Sequence, residues 1–170
     1  MSIQPNVKLR IVPATPNDVS LILALIKELA EYERLAHEVV ATEEILAETL
    51  FGTRSYAEVL IAHYENAPAG YALFFHSYST FLGRPGLYLE DLFVRPALRG
   101  KGIGKALLAS LARIALERGC GRLEWSVLNW NKPAIGFYQS LGAKAMDAWT
   151  VYRMIDEPLS RLASTPEHAS

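Results

Sequence analysis

One stretch, Arg99-Gly100-Lys101-Gly102-Ile103-Gly104, constrains this chain more than any other. It joins the apolar run Leu87-Tyr88-Leu89-Glu90-Asp91-Leu92-Phe93-Val94 to a segment in which Ile103, Ala106, Leu107, Leu111, Ile114 and Ala115 recur at helical spacing, with Gly119 as the stop after Arg118. A strand, a glycine-rich turn and an amphipathic helix in that order let backbone amides converge on an anion, and the first helical turn adds partial positive charge at the same point. A phosphate or pyrophosphate fits there; a tight strand-to-helix turn without a ligand fits the same residues. A dinucleotide-binding unit calls for G-x-G-x-x-G near the start of βαβ repeats, and a P-loop calls for G-K-[ST]. Neither spacing is present.

The rest of the chain sets this turn late in an α/β order. Lys8 to Pro13 reads as a first or edge strand. Thr15 caps a helix over 17–33, with Pro16 in its first turn, Asp18 facing the dipole, and Leu21, Leu25, Ile26 and Leu29 along one side. Thr42 opens a shorter helix through Leu50, closed by Gly52. Tyr56–Tyr64 and Gly70–Tyr78 form a hairpin across the five-residue loop Glu65–Ala69, and a second turn at Gly83–Gly86 leads into Leu87–Val94. This strand is apolar on both faces except for Glu90 and Asp91, as a central strand would be. After the Gly102–Arg118 helix come a strand from Leu123 to Leu128, a helix from Asn131 to Leu141 ended by Gly142, and a last strand from Trp149 to Ile155. The expected fold is α/β with a mixed sheet, an antiparallel meander leading into a βαβ unit, in one domain over 1–158 with a frayed tail over 159–170.

Composition excludes several classes of function. A formal net charge of -1 over 170 residues lacks the excess of Lys and Arg that a nucleic-acid surface needs. No run of eighteen apolar residues is present, so no membrane partner is expected. Cys120 is the single cysteine and His37, His63, His76 and His168 have no metal-ligand spacing, so neither a disulfide nor a metal site is expected. Met1-Ser2-Ile3-Gln4-Pro5 lacks the basic segment and apolar core of a secretory signal, which with the lone cysteine sets a cytoplasmic expectation.

In this context the glycine-rich stretch resembles the cofactor motif [RQ]-x-x-G-x-[GA] of the GNAT superfamily of N-acetyltransferases. The resemblance narrows to the spermidine/spermine (diamine) acetyltransferases and their thialysine-acetylating relatives. It is carried by Leu25-Ile26-Lys27-Glu28-Leu29-Ala30-Glu31-Tyr32-Glu33, by Leu87 to Val94, by Val127-Leu128-Asn129-Trp130-Asn131 leading to Phe137-Tyr138, and by Trp149. It implies the GNAT fold, a mixed, mostly antiparallel central sheet flanked by helices, and acetyl-CoA as co-substrate. The amides of Leu92, Phe93 and Val94 would bind the acetyl-pantetheine arm. Those of Arg99, Gly100, Lys101, Gly102, Ile103, Gly104 and Lys105 would cradle the pyrophosphate, and Asn131, Lys132, Pro133 and Ala134 would form a second contact. Asn131 also reads as a plain helix cap.

Acetyl transfer to an amine needs a base for the ammonium, stabilisation of the developing oxyanion and a proton for the departing thiolate. The resemblance implies Tyr138 as the acid and Glu90 as the base, direct or through water. Strict strand alternation sends Glu90 and Asp91 to opposite faces, leaving Asp91 a structural part. For the amine, the resemblance points to Tyr32, Glu33, Glu90, Glu124, Trp125 and Ser126, aromatic rings beside carboxylates suiting a cation. Ala145-Met146-Asp147-Ala148-Trp149 departs from the polyamine enzymes, being shorter and less acidic, while Val127 to Asn131 is closer to the thialysine type. The implied reaction is direct transfer from acetyl-CoA to a primary amine of a small cationic substrate, a polyamine, diamine or thialysine-like amino acid. The alternatives are a protein or aminoglycoside acetyltransferase, or an inactive acyl-CoA sensing module. Family members are commonly homodimers, so a homodimer is expected.

Overall fold

Five strands in sequential order, β1-β2-β3-β4-β5, form the sheet of this protein. They are β1 (Leu9–Pro13), β2 (Glu58–Tyr64), β3 (Ala67–Ser79), β4 (Arg84–Val94) and β5 (Leu123–Trp125) in a computed structural model that describes residues 8–165. Pairing is antiparallel from β1 to β4 and parallel between β4 and β5. Helices α1 (Val19–Tyr32) and α2 (Glu43–Phe51) lie between β1 and β2 in the chain, and α3 (Ile103–Glu117) between β4 and β5. The described chain divides into two compact units between Ser126 and Val127. The first unit holds the sheet and these three helices; the second holds α4 (Lys132–Ser140) and α5 (Asp156–Ala163).

Local signals account for the helices of the first unit. Asp18 reaches back from a short 3-10 turn to accept hydrogen bonds from the Thr15 backbone amide (2.7 Å) and hydroxyl (2.9 Å), so the first turn is closed before α1 begins. The Thr42 hydroxyl accepts from the Ile45 amide at the start of α2. Both helices bury one apolar side, and Ile22, Leu25, Leu29, Leu46 and Leu50 pack with Val59, Ile61, Tyr71 and Phe93 on one face of the sheet. Leu60, Ala62, Ala72 and Phe74, the intervening residues, are equally buried on the opposite face. Val94 on that side approaches Gly104 of α3.

Three expectations are corrected. The hairpin loop is two residues long, Glu65-Asn66, with φ of 50° and 67°, the left-handed geometry of a tight hairpin turn. Pro68, read as a loop residue, lies inside β3 opposite His63, where the register with β2 shifts. β5 stops at Trp125 rather than Leu128. The last strand over Trp149–Ile155 does not form: residues 150–155 have no regular structure, and Val151 and Tyr152 are 84% and 93% exposed. A strand needs a neighbour to pair with, and apolar alternation cannot supply one. Of the expected tail, Leu159 to Ala163 lie in α5, which has Asp156 and Glu157 in its first turn and Arg161 in its last. Residues 166–170 of the expected tail and the N-terminal pentapeptide lie outside the described residues.

Gly70 fixes how closely β3 and β4 approach. A Cβ at this position would stand 2.2 Å from the Phe93 carbonyl oxygen and 3.0 Å from the Val94 Cα. Backbone cannot swing aside as a flexible side chain can, so Gly70→Ala is expected to lower unfolding free energy by about 2 kcal/mol or more. Urea denaturation of the variant against the wild type measures this.

Candidate functional site

At the end of β4 the chain passes through a 3-10 turn, Pro96–Leu98, into the glycine-rich stretch. Gly100 and Gly102 adopt φ of 77° and 79°, a left-handed conformation that L side chains rarely take, and a Cβ on either would point into open space. Conformation therefore demands these glycines. Gly102 caps α3 without a side-chain hydrogen bond, and the first backbone bond of the helix is the Ala106 amide to the Gly102 carbonyl. The amides of Ile103, Gly104 and Lys105 precede it, so they are the unsatisfied donors of a helix N-terminus.

β4 is itself open beside this cradle. From Asp91 to Val94 it pairs with β3 on one edge, opposite Leu73, Ala72, Tyr71 and Gly70. On its other edge β5 pairs only with Leu87, Tyr88 and Leu89. Leu92, Phe93 and Val94 thus present strand backbone that no described strand occupies, and an extended amide-bearing chain can add there as a strand would. An open edge ending in an amide cradle fits the pantetheine arm and pyrophosphate of coenzyme A.

Two arginines flank the 3-10 turn. Arg95 donates Nε and Nη2 to the two carboxylate oxygens of Glu28 on α1 (3.0 and 2.7 Å) and Nη1 to the Pro68 carbonyl. Arg99 donates Nε to the Val94 carbonyl (3.0 Å), with its guanidinium 4.3 Å from the Tyr32 ring centre and 5.9 Å from that of Phe93. Lys101 stands 5.2 Å over the Tyr64 ring.

Glu90 sits at a β-bulge. Leu73 pairs with Asp91 and the next residue, Phe74, pairs with Leu89, which makes Glu90 the extra residue of β4. The bulge corrects the strict alternation expected here: Leu89 shares the face of Phe74, whereas Asp91 shares that of Leu73 and Tyr71 under α1. Glu90 is exposed. Asp91 accepts a 2.8 Å hydrogen bond from the hydroxyl of Tyr71, whose side chain is fully buried. Burial raises the Asp91 carboxyl above its ordinary range; the Tyr71 bond acts against this and the Glu90 charge adds to it. Burial, then the charge of Asp91, also raises Glu33 at the end of α1. Burial and the Asp91 charge hold the Tyr71 phenol far above its usual value. Glu33, Asp91 and Glu90 thus feel one another, a concentration of negative charge at the bulge. Residue order alone does not mark Tyr71 as a member of this group; the one available signal is a tyrosine in an apolar strand, whose hydroxyl needs a partner when buried.

The other expected residues are spread out. Glu124 is ion-paired with Arg122 (2.8 Å), and the Ser126 hydroxyl is 2.8 Å from that of Tyr88, whose ring stacks at 5.2 Å on Phe75. Trp125 is half-buried in β5. In the second unit Asn131 caps α4, its side chain accepting from the Ala134 amide, with Lys132 and Pro133 in the first turn. Tyr138 lies on α4 with its ring 5.5 Å from that of Phe137. No group of three potential metal ligands is found among the described residues.

Residues 22–143 match the acetyltransferase (GNAT) family, and the chain belongs to it. This protein is an acetyltransferase, and acetyl-CoA is the family's co-substrate. It is 40% identical to the thialysine N-epsilon-acetyltransferase of Bos taurus over 88% of this chain and 94% of the relative. It is 34% identical to an L-ornithine N5-acetyltransferase of Arabidopsis thaliana over 90% and 87%. An integron cassette protein from the mobile metagenome of V. cholerae superimposes with a TM-score of 0.78 at 28% identity, over 93% of this chain and 99% of its own.

Removing the Tyr71 hydroxyl tests the bulge electrostatics. Tyr71→Phe leaves Asp91 buried without its donor and is expected to cost about 1–3 kcal/mol of stability. The Asp91 carboxyl, already raised in the fold, rises further in the variant. The unfolded chain ionises alike in both proteins, so the deficit is small in acid and grows as pH rises through the folded Asp91 value of the wild type and then that of the variant. Chemical denaturation at pH 4 and pH 7.5 should give the larger deficit at pH 7.5.

Proposed function

We propose that the protein transfers acetyl from acetyl-CoA directly to a primary amine of a small cationic substrate, an amino acid of the thialysine or ornithine type or a short diamine. The observation that carries this reading is β4 itself: one strand bears an open edge leading to an amide cradle and, four residues earlier, an exposed carboxylate at a bulge beside Asp91 and Glu33. Acetyl-CoA, when bound, supplies an activated thioester. Gly100 to Lys105 hold its pyrophosphate and Leu92 to Val94 orient its arm. Glu33 and Asp91 draw the ammonium in, and Glu90 takes its proton directly or through water. Tyr138 donates a proton to the departing sulfur; its support is the resemblance around Asn131 and Phe137-Tyr138. Transfer is direct, and Cys120 takes no part in this scheme.

A cytoplasmic homodimer completes the proposal. It is supported by the exposed apolar stretch in the second unit, Trp149, Val151, Tyr152, Met154 and Ile155, which a second copy would cover. Light scattering at working concentration should report a dimer, and a monomer removes that part of the reading.

Tyr138→Phe is expected to lower turnover about 100-fold while acetyl-CoA affinity changes less than about twofold. Unchanged turnover excludes Tyr138 as the acid. Acetyl-CoA consumption with thialysine, ornithine, lysine, spermidine and short diamines tests the substrate class, and the reading fails if none reacts.

A further inference from the structure

Tyr32 was expected beside the amine, yet its ring lies against the guanidinium of Arg99. Glu28, one helical turn earlier on α1, grips Arg95 at two points. Two α1 residues four apart therefore hold two arginines four apart, bracketing the 3-10 turn that delivers β4 into the glycine cradle. The two grips differ in kind. Glu28 forms a closed ion pair that occupies Nε and Nη2 of Arg95. Tyr32 meets Arg99 through its ring face, and among the described residues Arg99 forms no ion pair with a carboxylate, so its charge remains for an anion.

The Nε bond to the Val94 carbonyl fixes where the Arg99 guanidinium starts, and the stack on Tyr32 fixes its plane. An exposed arginine without such support has many rotamers and loses that freedom when it binds an anion. We propose that Tyr32 is a positioning residue for Arg99, presenting the guanidinium to the phosphates of acetyl-CoA. Because Glu33 beside it interacts with Asp91, α1 then touches the cofactor side through Tyr32 and the amine side through Glu33. This inference rests on the acetyl-CoA reading above.

The test measures acetyl-CoA binding by calorimetry, together with steady-state kinetics, for the wild type, Tyr32→Phe and Tyr32→Leu. Each ring variant is also made in an Arg99→Met background. Tyr32→Leu should weaken acetyl-CoA binding about three- to tenfold, Tyr32→Phe less than about twofold, and the amine KM at saturating acetyl-CoA should hold. In the Arg99→Met background Tyr32→Leu should add no further loss. Arg99→Lys, which keeps the charge but not the planar stack, is expected to lose about as much as Tyr32→Leu and covers the case in which the leucine variant does not fold. Acetyl-CoA affinity unchanged in Tyr32→Leu or Arg99→Lys overturns the proposal. So does an equal loss in both backgrounds, or a rise in amine KM alone. A wild type that binds no acetyl-CoA overturns the function reading itself, a result distinct from all of these.

Discussion

Strand β4 is held along one edge and released along the other, and the site follows from that asymmetry. β3 lies against its final residues so closely that Gly70 leaves no room for a methyl group. β5 pairs with it only as far as Leu89. Unpaired strand backbone is ordinarily a hazard that proteins cover or shorten. Here it leads, through the turn at Pro96–Leu98, to the left-handed Gly100 and Gly102 and the N-terminus of α3.

The same strand concentrates charge. The bulge at Glu90 brings Asp91 under α1, where Tyr71 is its hydrogen-bond partner and Glu33 its like-charged neighbour. A carboxyl retained at a buried position against both desolvation and repulsion costs stability, and such costs concentrate where chemistry requires the charge. Arg95 and Glu28 do the opposite work nearby. Their two-point pair joins opposite charges and fastens the end of β4 to the middle of α1.

Much of this could be read from residue order because the signals were local. Thr15 with Asp18, Thr42, and the glycines after Val94 each act within a few residues, and they sit in the structure where the sequence pointed. What escaped the sequence depended on partners distant in the chain. The bulge at Glu90 exists only in register with β3, so alternation counted along β4 alone does not show that Leu89 and Asp91 lie on different faces. Tyr71 reads as core until Asp91, twenty residues away, is set beside its hydroxyl. The resemblance set Tyr32 on the amine side, and its ring contact with Arg99, distant in the chain, is not legible from residue order. Apolar residues from Trp149 to Ile155 have strand character without a described strand to join.

The ion pair between Arg122 and Glu124 bears on how the protein chooses among cations. Glu124 already has a guanidinium 2.8 Å away, fixed to the same strand region by two peptide bonds on either side of Leu123. A tethered partner is present at a high effective concentration that dilution cannot lower. For an incoming ammonium, Glu124 is therefore an exchange and not a vacancy, and the net gain is the difference between two cations' interactions with one carboxylate. Such a position discriminates poorly on charge alone. A cation that takes this carboxylate must bring, from its remaining atoms, contacts that make up for the lost Arg122 pair.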